Sequence, residues 1–525
     1  MPHIQKCFHH ICRGGSVGDT GTGASQRSDI KTLADILAYH RESVPAGELY
    51  QWILVREEES LGKGHPDTLA TAYGIANAFW SQGRYGEALE WYKRALAGRE
   101  KSLGKGHPET LSTVHCMATL FCSQGKYSEA LKWYRRALAG REESLGKDHP
   151  EALSAVHGIA YVLSSQGKYG EALVWYWRAL TGKEKSLGKD HPDTLPTVHC
   201  MATLLSRQGK YDEALEWYRR AHAGREKSLG KSHPETLFTV HCIADIFYSQ
   251  GKYNEALEWQ RRALAGMEKS LSKDHPKALF TVHIARVFWI QGKHDEALEW
   301  YRRALAGREK SLAKGHPETL FTVHCIANVF FGQGKYNKAL EWHRRALAGM
   351  ENSLGKGHPK TLSTVHSIAN VFSSQGRHDE ALEWYRRALA GKEESLGKGH
   401  PKTLSTVYGI ANLFSSKGRH EKALEWYQRA LAGRERSLGK DHPDTLSTVY
   451  GMGNVFRKQR KVHEALELLR RAFSGQEKAL GKDHPETLAT SKDIAEILWR
   501  RKRIRLVFFF FARVSLLYFY TLLYK

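Results

Sequence analysis

The sequence predicts an all-α solenoid of repeated helix-turn-helix units. Three observations carry that prediction. The dipeptide His-Pro recurs eleven times, at His65, His107, His149, His191, His233, His275, His316, His358, His400, His442 and His484. Successive steps are 42 residues, with a single step of 41 between His275 and His316. Within each step the apolar residues fall at helical spacing, interrupted by a glycine at a fixed place. A period of this size marks stacked supersecondary units, none of which buries its apolar face alone.

The chain divides accordingly. Residues 1–28 read as a flexible N-terminal segment, because 13–28 (RGGSVGDTGTGASQRS) are rich in Gly, Ser and Thr. No Lys-Ser or Lys-Thr follows those glycines, so the segment is not a phosphate loop. Residues 1–20 lack the apolar run of a secretory signal. Cys7, His9, His10 and Cys12 match no familiar zinc spacing. Residues 29–64 are expected to form atypical capping helices. Residues 65–483 make ten repeats, and 484–503 begin an eleventh that stays incomplete. Residues 504–525 form an apolar tail with Arg513 inside it. Two readings of the tail stand: a membrane anchor preceded by RRKRIR, or a wrongly translated end, since the repeat stops mid-unit. The second is preferred, and membrane contact is expected only through 504–525.

Residues 107–148 show how one unit is built. Pro108 suits the first helical position, where its missing N–H would have no partner, and Glu109 favours the positive helix end. Leu111, Val114, Met117, Ala118 and Phe121 make one helical stripe, helix A. Gly125 suits a left-handed turn. Helix B follows with Tyr127, Ala130, Leu131, Tyr134, Ala137, Leu138 and Leu145, and Gly146 ends it. The His-Pro histidine itself reads as structural, near the cap of helix A.

A glycine recurs inside helix B, at Gly98, Gly140, Gly182, Gly224, Gly266, Gly307, Gly349, Gly391, Gly433 and Gly475. Each costs about 1 kcal/mol relative to Ala, so close packing against a neighbour is expected there. Four of the seven cysteines, Cys116, Cys200, Cys242 and Cys325, sit nine residues after a His-Pro histidine. Equivalent sites in stacked repeats stand about 10 Å apart, too far for a disulfide, so they read as small buried residues of a reducing compartment. The 41-residue unit lacks one residue of helix A, which turns the following side chains by about 100°. A local offset is expected between residues 272 and 315.

Lys and Arg outnumber Asp and Glu by 23. The excess recurs with the array as Arg-Arg pairs and Gly-Lys turns, which reads first as a solvated face with Glu216, Arg219 and Arg220 pairing along helix B. The rival reading is a basic scaffold for nucleic acid or for acidic or phosphorylated partners. Nucleic acid is the less favoured of these.

Met117, Ala118, Phe121, Gly125, Tyr127, Ala130, Tyr134, Ala137 and Leu138 together resemble the tetratricopeptide repeat, here lengthened by eight residues in helix B. The GKY, EAL, RAL and LGxxHP segments of a 42-residue unit resemble those of kinesin light chains and of the C-terminal arrays of fungal NOD-like proteins. The resemblance implies a right-handed superhelix whose concave groove is lined by helix A. It places groove residues at the eighth, twelfth and fifteenth positions after each His-Pro histidine. The eighth reads Tyr73, His115, His157, His199, His241, His283, His324, His366, Tyr408 and Tyr450. The twelfth includes Asn77, Tyr161, Asp245, Arg286, Asn328, Asn370, Asn412 and Asn454. The fifteenth is mixed, including Trp80, Tyr248 and Trp289.

Core positions barely change between units, whereas the twelfth and fifteenth do. The expected function is a cytoplasmic protein-interaction scaffold that holds a peptide or helix of a partner protein in the groove. A kinesin light chain-like cargo adaptor is an alternative. The alternative role for the histidines is to bond neighbouring helices, and a histidine row could also titrate near neutral pH. Metal is not expected, because the rings are too widely spaced to converge on one ion. No catalytic residues and no cofactor are expected, since no nucleophile–base pair stands outside the repeat pattern.

Overall fold

The computed structural model describes residues 30–37, 43–270 and 279–500. Helix A of the repeats runs over Pro66–Ser81, Pro108–Ser123, Pro150–Ser165, Leu195–Arg207, Pro234–Ser249, Leu279–Ile290, Pro317–Gly332, Pro359–Ser374, Pro401–Ser416, Pro443–Lys458 and Pro485–Arg500. Helix B runs over Tyr85–Ser102, Tyr127–Leu145, Tyr169–Ser186, Tyr211–Leu229, Tyr253–Ser270, His294–Leu312, Tyr336–Leu354, His378–Leu396, His420–Ser437 and Val462–Leu480. Among the described residues there is no strand.

The chain forms two compact units, Met1–Thr113 and Val114–Lys525. In the first, helix Ser43–Ser60 packs on helix Pro66–Ser81. Leu49, Ile53, Leu69 and Ile75 are its buried centre, and Tyr50 donates a hydrogen bond to Asp35. The second unit is an all-α solenoid. From Pro150 on, each helix A packs on its own helix B and each helix B on the next helix A, and several helices A, such as Pro359–Ser374 and Pro401–Ser416, also touch the helix A of the next repeat.

The repeats whose first residues are described open on the same cap. The His-Pro histidine is extended, and its Nδ1 accepts the N–H two residues on, at 3.2 Å for His65 and 3.0 Å for His400. An uncapped helix start would leave that donor without a partner. One repeat keeps this bond but starts its helix later. Helix A of the fourth starts at Leu195, not after His191, because Pro196 lacks the N–H that a mid-helix position needs. The A–B turn glycines take left-handed backbone, as at Gly125 with φ 72°. Ala313 holds φ 74° where other repeats have Gly, and the expected offset around it lies partly outside the described residues.

The glycine inside helix B has a definite neighbour. A Cβ on Gly182 would stand 2.7 Å from both δ-carbons of Leu153, and one on Gly391 would stand 2.6 Å from Leu362 Cδ2. The close approach is thus by the first leucine of helix A in the same repeat, not by helix backbone.

One residue further along helix B, a buried cation reaches into the next repeat. Arg308 is 1 % exposed, donates to the Glu318 carbonyl at 2.8 Å and to Thr322 Oγ1 at 2.6 Å, and faces the Glu318 carboxylate. Arg99 repeats the pattern on Glu109 and Thr113, Arg225 on Glu235 and Thr239, and Arg434 on Asp444 and Thr448. On the outer face pairs within one helix B, as Glu90–Lys93, stand beside pairs between repeats. Arg178, Arg220, Arg387 and Arg429 reach Glu142, Glu184, Glu351 and Glu393 of the preceding helix B. The offset is 36 residues, set by stacking.

Candidate partner-binding surface

Helix A presents the eighth, twelfth and fifteenth positions, and the structure puts them at different depths. The eighth is deep. His199 and His241 are buried, and so is His324; His115, His157 and His366 are half-buried. Each of these rings is held by its neighbours. His115, His157, His199 and His366 stand edge-on to Tyr134, Tyr176, Tyr218 and Tyr385 of helix B, with centroids 5.0–5.4 Å apart. Arg141 donates to His115 Nδ1 at 3.2 Å. His157 Nδ1 and His324 Nδ1 each lie 3.2 Å from a threonine of the next repeat, Thr197 and Thr364. Cys200 and Cys242 set their sulfurs 3.8 and 3.7 Å from His157 and His199 Nε2. His241 meets Gln260, which stands where other repeats have tyrosine. Tyr73 and Tyr408 repeat the edge-on contact with Tyr92 and Tyr427, and Tyr450 donates to Asp493. The His283 side chain lies outside the described residues.

Burial decides the electrostatics of this row. Desolvation first, and then nearby cations such as Arg141 and Lys183, pushes His115 down to about 4 and His157 to about 3. Desolvation also takes His199 and His366 to about 3 and His324 to about 4. These imidazoles are neutral at physiological pH. For these five rings burial argues against titration near neutrality.

The twelfth position remains reachable. Asn77, Asn370 and Asn412 each accept the hydroxyl of a helix B tyrosine, Tyr92, Tyr385 and Tyr427, and Asn412 also hydrogen-bonds Tyr408. Tyr161 is 45 % exposed, Asn412 is exposed, and Asp245, Arg286, Asn328 and Asn454 are half-buried. Asn328 lies 3.3 Å from His324 Nε2. Arg286 covers the ring of Tyr248 at 4.2 Å, with Asp245 supporting its charge.

Sequence reasoning missed the fifth position. Phe238 and Phe321 stand there, 39 % and 36 % exposed. Phe238 lies against His199 and His241, and Phe321 stacks on His324. Other repeats carry Ser112, Ser154, Ser363, Ser405 and Ser447 at this place. The signal was present: phenylalanine occupies the fifth position only in three consecutive mid-array repeats, at Phe238, Phe280 and Phe321.

Among the described residues no cluster of three or more metal-ligating side chains occurs, and no helix is long and apolar enough to cross a membrane. Cys116, Cys122, Cys200, Cys242 and Cys325 are free thiols, and only Cys325 is buried outright.

A search of curated protein sequences returns no match. Solved structures similar in part include nearly identical TPR-like repeats of kinesin light chain type from Podosopora anserina, at 25% identity over 39% of this chain and 97% of that one, with a TM-score of 0.34. BtubC (BKLC) from P. vanneervenii is similar at 19% identity over 48% of this chain and 93% of that one, TM-score 0.35. A Rap protein complexed with Competence and Sporulation Factor is similar at 13% identity over 75% of this chain and 98% of that one, TM-score 0.43. Family models described as tetratricopeptide repeat match residues 68–109, 109–185, 152–227, 193–269, 236–310, 319–394, 366–436, 402–475 and 444–514. With the A–B–A packing, the capped helix starts and these matches over most of its length, the chain belongs to the tetratricopeptide repeat family.

Proposed function

We propose that this array is a cytoplasmic protein-interaction scaffold that binds an extended peptide or a helix of a partner protein along the helix A face. The observation that carries this reading is the mid-array patch of Phe238 and Phe321. Large apolar side chains left a third exposed on one face, among polar residues that vary from repeat to repeat, suit a partner anchored by apolar contacts and sorted by polar ones. Tyr161, Asp245, Arg286, Asn328 and Asn370 supply the sorting. The buried histidines act one layer below, holding the helix B tyrosines and the next helix A in place. Binding rather than catalysis is the role, since the repeated polar groups are spent on holding neighbouring helices.

The test uses the full chain as bait in an extract of its source cells, with captured proteins identified by mass spectrometry. Phe238→Ser with Phe321→Ser restores the residue that other repeats carry, so the fold is expected to stand. Loss of most capture with unchanged helicity supports the reading. Equal capture by the variant sinks it.

A further inference from the structure

The second unit touches itself across a full superhelical turn. His358 Nε2 lies 3.1 Å from the Ser123 carbonyl oxygen, His400 Nε2 3.0 Å from that of Ser165, and His442 Nε2 3.2 Å from that of Arg207. The separation is 235 residues each time. Turn glycines lie directly under the same dipeptides. A Cβ on Gly125 would stand 2.6 Å from Pro359 Cδ, one on Gly167 2.7 Å from Pro401 Cδ, and one on Gly251 2.8 Å from His484 Cδ2. So the His-Pro edge of repeats eight to eleven sits on the A–B turn edge of repeats two to five.

The chemistry of the contact is complementary. Nδ1 is occupied as the helix cap acceptor, which leaves the proton on Nε2. Nε2–H then donates to a carbonyl in the last turn of an earlier helix A, one of the groups that a helix end leaves without a partner. Glycine at the turn lets the proline ring approach.

Both edges continue past this overlap. Among the described residues, the turn glycines Gly334, Gly376 and Gly418 have nothing within 4 Å of a Cβ position. His149 and His233 keep the same cap at 3.3 and 3.2 Å, and His191 keeps its Nδ1 bond, yet all three are half-buried. Of the covered histidines, His358 and His400 are 8 % and 7 % exposed, while His442 and His484 are half-buried as well.

We propose that these two uncovered edges bind each other between copies of this chain, the His-Pro edge of repeats three to five of one copy on the turn edge of repeats seven to nine of a second. The occupant follows from continuity, since the chain makes this contact with itself at the same repeat spacing. Charge points the same way. The first turn after the uncovered histidines carries Glu151, Asp193 and Glu235, whereas the uncovered turns carry Arg377 and Arg419. Within the chain's own overlap the same place holds Lys360 and Lys402 but also Asp444 and Glu486, the latter two over turns that carry Lys210 and Lys252. Such a contact is head to tail and does not close on itself, so it extends into an open series. It uses the edges of the solenoid and does not depend on the helix A face.

Sedimentation velocity on the full chain tests this. The average mass should rise with protein concentration up to roughly 100 μM without a plateau at a dimer, and fall in high salt. His149→Ser, His191→Ser and His233→Ser together keep a capping hydroxyl and remove the Nε2 donor. They should weaken association about tenfold or more with unchanged helicity. Arg377→Glu with Arg419→Glu should do the same from the opposite edge, and covers the case in which the triple variant misfolds. A chain that stays monomeric throughout, a closed dimer, or association unaltered in both variants overturns the proposal.

Discussion

His400 joins two places that are 235 residues apart: Nδ1 caps its own helix A at the Lys402 N–H, and Nε2 lies 3.0 Å from the carbonyl oxygen of Ser165. His149 makes the first of these bonds, at Glu151, and is only half-buried. The same dipeptide therefore does two amounts of structural work, which separates cap from contact experimentally.

His149→Ala should cost about 1 kcal/mol, the value of a lost N-cap. His400→Ala should cost about 1 kcal/mol more, because the Ser165 carbonyl also loses its donor. Urea melts of the two variants check the difference. Equal losses would show that the second bond contributes nothing.

Stability should fall in acid well before carboxylates protonate. Burial holds His157, His199 and His366 at about 3, and His358 and His400 at about 4, below the ordinary 6.5. A folded pKa below the unfolded one favours the neutral ring. Its contribution is therefore complete above about 6.5 and is lost as pH falls toward 4 and 3. Thermal melts between pH 7 and pH 4 should show a steady decline in Tm.

Lys392 is 3 % exposed and donates to Thr406 Oγ1 at 2.8 Å, with Lys402 nearby where other repeats place a carboxylate. Desolvation, then Lys402, brings its pKa from 10.5 to about 7. Protonation then opposes folding, fully so below about pH 7 and not at all above about 10.5. Lys392→Met should stabilise by about 1–2 kcal/mol at pH 6, and the gain should vanish at alkaline pH. Met350 shows that the site accepts this residue, with Thr364 Oγ1 3.4 Å from its sulfur.

The helix B glycines should split by neighbour. Gly391→Ala gains about 1 kcal/mol of helix propensity but presses on Leu362 at 2.6 Å. Overpacking of about 1–3 kcal/mol makes the net change a loss. Gly170→Ala, in the exposed first turn of its helix B, meets nothing within 4 Å among the described residues and should gain up to about 1 kcal/mol. Differential scanning calorimetry of the pair gives opposite signs.

Much of this fold was legible as period. The 42-residue step, the proline start and the turn glycine each act within a few residues, so sequence spacing located helices A and B and the need for close packing at Gly182 or Gly391. The eighth-position histidines were harder. Spacing put them on helix A but not their depth, which depends on Tyr134, Tyr176 and Tyr218 leaning over from helix B. Arg220 shows the same limit, since stacking sends it to Glu184 and not along its own helix to Glu216. Phe238 and Phe321 were visible as irregular residues, yet their exposure follows from the face they occupy. Nothing in the sequence near His400 names Ser165.

The cation one residue after the helix B glycine has a consequence in time. Arg225 finds the Glu235 carbonyl ten residues later in the chain and Thr239 fourteen residues later. At about 5–20 residues per second, a repeat emerging from a ribosome waits only on the order of a second for the groups that neutralise and bond its buried guanidinium. Consolidation can thus follow synthesis one unit behind, and a stalled chain exposes at most the last unfinished unit.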